Sequence, residues 1–181
     1  MKKRNAVLLG VLALACASFS VAQNPMVGGH DMLPMKNIIQ NAVNSDDHTT
    51  LVAAVKAAGL VDTLEGTGPF TVFAPTNEAF AKLPAGTVDT LLKPENKDQL
   101  TKVLTYHVVA GKVTSNELRK MIKEGHGTAE LTTVEGGKLQ AMMAGGKIEL
   151  KDEKGGTATV TIPNVMQSNG VIHVIDSVLL P

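Results

Sequence analysis

The chain has 181 residues, with 17 basic against 17 acidic side chains, no tryptophan, one tyrosine and one cysteine, Cys16. So even a balance leaves no basic patch for nucleic acid, and a lone cysteine supports no disulfide framework. Removing the first 22 residues takes away Lys2, Lys3, Arg4 and Cys16 and leaves 159 residues with a net charge of −3; a chain of that length buries roughly 70% of its unfolded surface, so packing alone can hold it.

Residues 1–22 run from a basic start through an apolar stretch, 6–17, to a small-residue exit at Ser20-Val21-Ala22. This is the layout of a secretory signal peptide cleaved between Ala22 and Gln23, and it points to a secreted or periplasmic destination. The apolar stretch is 12 residues long, whereas a membrane-spanning helix needs roughly 20, so a retained anchor is the weaker reading. Cys16 keeps a lipoprotein open, cut just before a lipid-modified cysteine, although in Leu12-Ala13-Leu14-Ala15 the leucine is one place off its usual position. No long apolar run follows Ala22 and the chain stops at Pro181 without a sorting tail, so no transmembrane or C-terminal anchor is expected after cleavage. Residues 23–34, rich in Pro, Gly and Met, read as a loosely ordered linker.

Beyond the linker, Ile38, Ile39, Ala42 and Val43 share one face of a helix starting near Met35. Leu51, Val52, Val55 and Ala58 do the same for a second helix, which Gly59 closes by accepting the left-handed conformation. A strand over 70–74 follows; Pro75 stops it, and Thr76 caps a helix over 77–83. Leu100, Val103, Leu104 and His107 lie on a helix beginning after Pro94, and Leu118, Met121 and Ile122 on a shorter one from near Ser115. After Gly125, the pairs Gly136-Gly137, Gly145-Gly146 and Gly155-Gly156 divide the runs 129–134, 138–143, 147–151 and 157–162 into antiparallel hairpins. In 147–151, Ile148 and Leu150 alternate with charged residues, giving one dry face and one wet one. The final strand, 171–180, is apolar on both faces and belongs in the centre of the sheet. Helices first and hairpins later describe one α+β domain over 35–181, without an internal repeat.

Reactive groups are few. Among His30, His48, His107, His126 and His173 no two lie three to five residues apart and no cysteine joins them, so no metal site is expected. No Gly-x-Ser-x-Gly elbow presents Ser115, Ser168 or Ser177, and no Gly-Lys-Ser/Thr follows the glycine pairs; no catalytic residue and no cofactor is assigned. In the last strand, period-two alternation sends Ile172, Val174, Asp176 and Val178 to one side and His173, Ile175, Ser177 and Leu179 to the other. His173 and Asp176 therefore cannot form a catalytic pair, and backbone amides or hydroxyls are expected to satisfy the carboxylate.

Two segments about ninety residues apart stand out: Gly68-Pro69-Phe70-Thr71-Val72-Phe73-Ala74-Pro75-Thr76-Asn77-Glu78-Ala79-Phe80 and Asn169-Gly170-Val171-Ile172-His173-Val174-Ile175-Asp176-Ser177-Val178-Leu179, with Tyr106-His107 between them. With these three markers in order, the chain over 35–181 resembles the fasciclin domain family. The resemblance implies a twisted β-wedge or sandwich of mostly antiparallel strands, flanked by a helical layer from the N-terminal half, with the two marker strands adjacent. It also implies a non-catalytic, exported adhesion module whose partner is a cell-surface or matrix protein or polymer; the sequence leaves the oligomeric state open, a monomer being one option.

In animal matrix members of the family a Tyr-His with aliphatic flanks is implicated in receptor adhesion. Here Tyr106 and His107 sit among Val103, Leu104, Val108 and Val109, and the competing reading makes His107 a hydrogen-bonded core residue at a helix-to-strand corner. A second adhesion segment, just before the last marker, carries an acidic residue after proline in some animal members. This chain has Pro163, Asn164, Val165 and Met166 there, and a neutral amide is a poor substitute for a carboxylate on a divalent cation. These six residues, a corner and a loop, are the candidate partner-binding residues. Met142, Met143 and Met166 either form a soft binding surface or fill the core. The mature part has only Phe70, Phe73, Phe80 and Tyr106 as aromatics, which argues against a sugar-binding face. A rival reading is a periplasmic carrier or stress-linked protein holding a small apolar ligand between helices and sheet. An enclosed apolar cavity of several hundred Å3 would favour it, and an exposed apolar patch would favour adhesion. An esterase would need a serine within hydrogen-bond reach of a histidine in a cleft.

Overall fold

In the computed structural model, which describes residues 24–181, the chain begins with a hairpin instead of a linker. Strands β1 (Met26–Val27) and β2 (His30–Asp31) pair antiparallel around Gly28-Gly29. Val27 and the following Met32 are buried in the main core. The Asn24 side chain bonds both backbone groups of Met166, donating at 2.6 Å and accepting at 2.9 Å. The linker reading fails here because composition registers proline and glycine but not two apolar side chains placed to straddle a turn. The proposed signal peptide, residues 1–22, and Cys16 lie outside the described residues.

Helix α1 (Ile38–Ala42) starts at a capping box in which Asn37 accepts from the Gln40 amide and the Gln40 side chain accepts from the Asn37 amide. Helix α2 (Thr49–Ala58) buries Leu51, Ala54, Val55 and Ala58 and ends at Gly59 in the left-handed region, at φ 73°. A five-residue helix, α3 (Val61–Glu65), is too short to show periodicity in the sequence. Strand β3 (Phe70–Pro75) leads into α4 (Asn77–Ala81), capped by the Thr76 hydroxyl as expected, then into the equally short α5 (Thr87–Leu91). Helix α6 (Lys97–Tyr106), strand β4 (Val108–Ala110) and helix α7 (Ser115–Glu124) follow, the last opened by a Thr114/Glu117 capping box. The hairpin half is β5 (Thr128–Thr132), β6 (Lys138–Ala144), β7 (Lys147–Lys151), β8 (Thr157–Gln167) and β9 (Gly170–Ile175).

The sheet runs β4-β3-β9-β8-β7-β6-β5, with β3 and β9 parallel and every other pair antiparallel. Its two ends approach one another: Val109 bridges Thr133, and the Val134 amide donates to Val108. The sheet thus nearly closes on itself, which covers edges that would otherwise pair with other chains. Segment 163–166 is not a loop but part of β8. Register shifts on either side of Ile162 absorb the missing donor of Pro163 and the left-handed Asn164, φ 59°, as a bulge.

Two hydrophobic clusters occupy opposite faces of the central strands. One packs α1 to α6 against Val72, Ala74, Val165, Ile172 and Val174. The other holds Phe73, Val160, Ile175 and Leu179 together with Leu118 and Ile122 of α7. The alternation read along the last strand is therefore the one observed. Only glycine allows the two marker segments to touch where the parallel pair begins: a Cβ on Gly170 would stand 2.0 Å from the Phe70 carbonyl oxygen, and one on Gly68 2.2 Å from that of Asn169.

Candidate functional site

The Tyr106-His107 corner is formed where α6 runs into β4, and both side chains are buried. His107 Nδ1 lies 2.8 Å from the Val103 carbonyl, which can only accept, so Nδ1 carries the proton. Nε2 is left to accept from the Leu179 amide at 3.0 Å. Burial pushes this imidazole down to a pKa of about 4, so the ring is neutral at ordinary pH. The Tyr106 hydroxyl donates to the Lys138 carbonyl at 2.6 Å and accepts from the Glu153 amide at 3.2 Å. Its ring lies against Gly137, where a Cβ would stand 2.8 Å from Cε2. The carboxylate of Asp152, buried beside this corner, accepts from Gly156 and from Leu180. Together His107 and Asp152 hold the C-terminal segment onto the barrel.

The second candidate segment is engaged in the same way. Asn164 Oδ1 accepts from the Ser115 amide at 2.8 Å, and its Nδ2 donates to the Ser115 hydroxyl at 2.7 Å, so the amide fastens the β8 bulge to the start of α7. The Asn164 amide N–H points at Nδ1 of His173, 3.3 Å away, and His173 Nε2 donates to Val113 at 2.8 Å. His173 is fully buried, stacked on Phe73 with ring centroids 5.6 Å apart, and burial holds it below its ordinary pKa. Asp176 accepts from the Thr159 amide and the Ser177 hydroxyl, the partners expected of it, with Lys82 3.8 Å away.

Of the six candidate residues, then, Tyr106, His107 and Val165 are buried, Asn164 and Met166 are half-buried, and only Pro163 is exposed. The corner cannot be touched by a partner while the domain is folded, because the groups that would recognise it are consumed by backbone atoms of the same chain. The loop expected at 163–166 is a pinned strand. Of the methionines, Met143 is exposed, whereas Met142 and Met166 are half-buried.

A serine and a histidine do meet: Ser45 Oγ lies 2.8 Å from His48 Nδ1. Both are buried, burial lowers the His48 pKa, and the adjoining void is only about 10 Å3. A nucleophile needs room for a substrate, and this pair has none. The pair instead receives the β1–β2 turn, since a Cβ at Gly28 would stand 2.5 Å from Ser45 Oγ.

What faces outward is different. The exposed large apolar residues among those described are Met26, Leu33, Met35 and Val43, all within eighteen residues of one another, plus Val134 and Met143. Met35 is 81% exposed and Val43 52%. Of the first four, Met35 and Val43 belong to a segment whose helix was legible, whereas Met26 and Leu33 fall in the stretch read as a linker, which is why they carried no signal.

This architecture has known counterparts. A solved FAS1 domain pair from the insect cell adhesion molecule Fasciclin I superposes with a TM-score of 0.71 at 21% identity, covering 81% of this chain and 51% of that one, so the chain spans about half the length of that structure. Protein sll1483 of Synechocystis is 50% identical over 80% of this chain and 73% of its own. The cell surface glycolipoprotein MPB83 of Mycobacterium bovis is 34% identical over 94% of this chain and 72% of its own. Residues 46–181 match the family model for the fasciclin domain, and with the sheet, the paired marker strands and these relatives the chain belongs to the fasciclin domain family.

Proposed function

We propose that this protein is a non-catalytic, exported adhesion module that grips a cell-surface or matrix protein or polymer through the apolar side chains of residues 26–43. The observation that carries the reading is the division of labour in the fold. Polar groups of the marker strands are spent on internal hydrogen bonds, while Met26, Leu33, Met35 and Val43 stand in water on a segment pinned to the body by Asn24, Val27 and Met32. Exposed large apolar side chains can mark interaction surfaces, these four lie within eighteen residues along the chain, and a backbone already held in place loses little freedom on binding. The names of two similar proteins, a cell adhesion molecule and a cell surface glycolipoprotein, support the same direction.

Retention of the mature protein on cell envelopes and matrix polymers tests the proposal. Met35→Glu and Val43→Glu change only exposed positions, and each is expected to lower retention at least tenfold with the fold intact. Absence of wild-type retention on every surface would overturn the adhesion reading. The export part of the reading is supported by the layout of the N-terminal segment, and the intact mass of the exported form separates a free Gln23 terminus from a lipid-modified Cys16, the arrangement that the word glycolipoprotein in a relative's name supports. No helix among the described residues is long and apolar enough to cross a membrane.

A further inference from the structure

Ser168 and Asn169 form the turn that joins β8 to β9, and Asn169 is buried there. Its side chain is engaged at both polar atoms. Oδ1 accepts from the Ile38 amide, at the start of α1, at 3.1 Å, and Nδ2 donates to the carbonyls of Leu64, in α3, and Gly66, just after it, at 2.7 and 2.9 Å. These partners lie 131, 105 and 103 residues away, so one side chain clasps the ends of two helices to the sheet. The backbone is held as closely. The Asn169 carbonyl accepts from the Phe70 amide at 3.0 Å, and the next residue, Gly170, presses on the Phe70 carbonyl so tightly that only glycine fits.

An asparagine followed by glycine carries a reaction of its own. The Gly170 nitrogen, its proton taken by hydroxide, attacks Cγ of Asn169; the Cγ–Nδ2 bond breaks, ammonia leaves, and a five-membered succinimide closes. Water then opens the ring at either carbonyl, leaving aspartate or isoaspartate at position 169, with no oxidant or cofactor required. Glycine favours the closure because it has no side chain to crowd the attacking nitrogen and lets the backbone turn. In the folded chain the ring cannot form. Cγ must swing onto the Gly170 nitrogen, which detaches Oδ1 from Ile38 and Nδ2 from Leu64 and Gly66, and the Asn169 carbonyl carbon must turn into the ring while its oxygen is tied to Phe70. The product, in turn, no longer fits. A carboxylate has no hydrogen to give, so the Leu64 and Gly66 carbonyls lose their donor and face a negative charge in a buried site, and isoaspartate adds a methylene to the backbone of the turn. We infer that Asn169-Gly170 is a deamidation site closed by the native contacts of α1, α3 and β3 and opened by their loss, so that prolonged unfolding of this domain becomes irreversible. The inference is independent of the adhesion surface, which lies on other residues.

The mature protein incubated in mildly alkaline buffer, with and without guanidinium chloride, and followed by peptide mapping in the mass spectrometer tests it. Conversion at Asn169 is expected to run about a hundredfold or more slower in the folded chain than in the unfolded one, and to rise across the denaturant transition with the unfolded fraction. After the denaturant is removed, size exclusion separates refolded from unfolded chains. The refolded fraction is expected to hold Asn169 intact, and the converted chains to collect in the unfolded fraction. Asn169→Asp makes one product directly and is expected to unfold at a lower denaturant concentration than the wild type, or not to fold at all. Folded and unfolded rates within threefold of each other, no conversion at Asn169 in denaturant, converted chains refolding in proportion to their abundance, or an Asn169→Asp midpoint equal to that of the wild type would each overturn the inference.

Discussion

Acidification reaches the His107 latch directly. In the folded chain His107 has a pKa of about 4, against 6.5 for a free imidazole, because a buried imidazolium is poorly solvated. The hydrogen bond to the Val103 carbonyl and the Asp152 carboxylate nearby oppose the effect without reversing it. Between these two values the unfolded chain binds a proton that the folded chain refuses, so stability falls as the pH falls. The loss begins below about 6.5 and is complete near 4. At 1.36 kcal/mol per pH unit the difference amounts to about 3 kcal/mol from this one ring, a large share of the 5–15 kcal/mol typical of a domain. Urea unfolding followed by far-ultraviolet circular dichroism, repeated from neutral pH down to 4, measures it against His107→Leu. The variant starts lower by about 1–3 kcal/mol, since the Leu179 amide loses its acceptor. It should then lose about 3 kcal/mol less than the wild type on acidification, so that the two curves converge. His48 and His173, also lowered by burial, shift both curves in the same direction and cancel in the comparison. Parallel curves would refute the latch.

Gly170→Ala is expected to lower stability by about 1–3 kcal/mol or prevent folding, because the added carbon meets the Phe70 carbonyl at 2.0 Å and backbone cannot yield as a side chain would; the urea midpoint reports it. Asn164→Asp should be close to neutral, since a carboxylate can accept from both the Ser115 amide and hydroxyl at the start of α7, whereas Asn164→Ala loses both bonds and places alanine at φ 59°, costing about 2–4 kcal/mol by the same assay. Deleting residues 24–34 exposes the surface covered by Val27 and Met32, each contributing about 1.5–3 kcal/mol, and calorimetry should show Tm lowered by about 10 °C or more. An unchanged Tm would mean the hairpin is not part of the cooperative unit.

Much of the architecture was legible because local chemistry and tertiary structure agree. Gly59 ends α2, Thr76 caps α4, the glycine pairs turn the hairpins, and both marker strands stand side by side. Helices α3 and α5, at five residues each, carry no periodic signal. The hairpin 26–31 was hidden by a composition that suits a linker equally well, and β8 was cut short by Pro163, whose missing donor a bulge accommodates. At the candidate site the residue types were recognised but their direction was not. Tyr106, His107 and Asn164 resemble contact residues in one dimension and are internal braces in three.

The sequence by itself determined the fold class, the family and the alternation of the final strand, because these depend on turn chemistry and on spacing along the chain. Which polar groups are free to meet a partner was decided only by the tertiary structure. A hydroxyl, imidazole or amide becomes available or committed according to what lies opposite it, and Leu179, Lys138 and Ser115 lie 72, 32 and 49 residues away from the side chains they occupy.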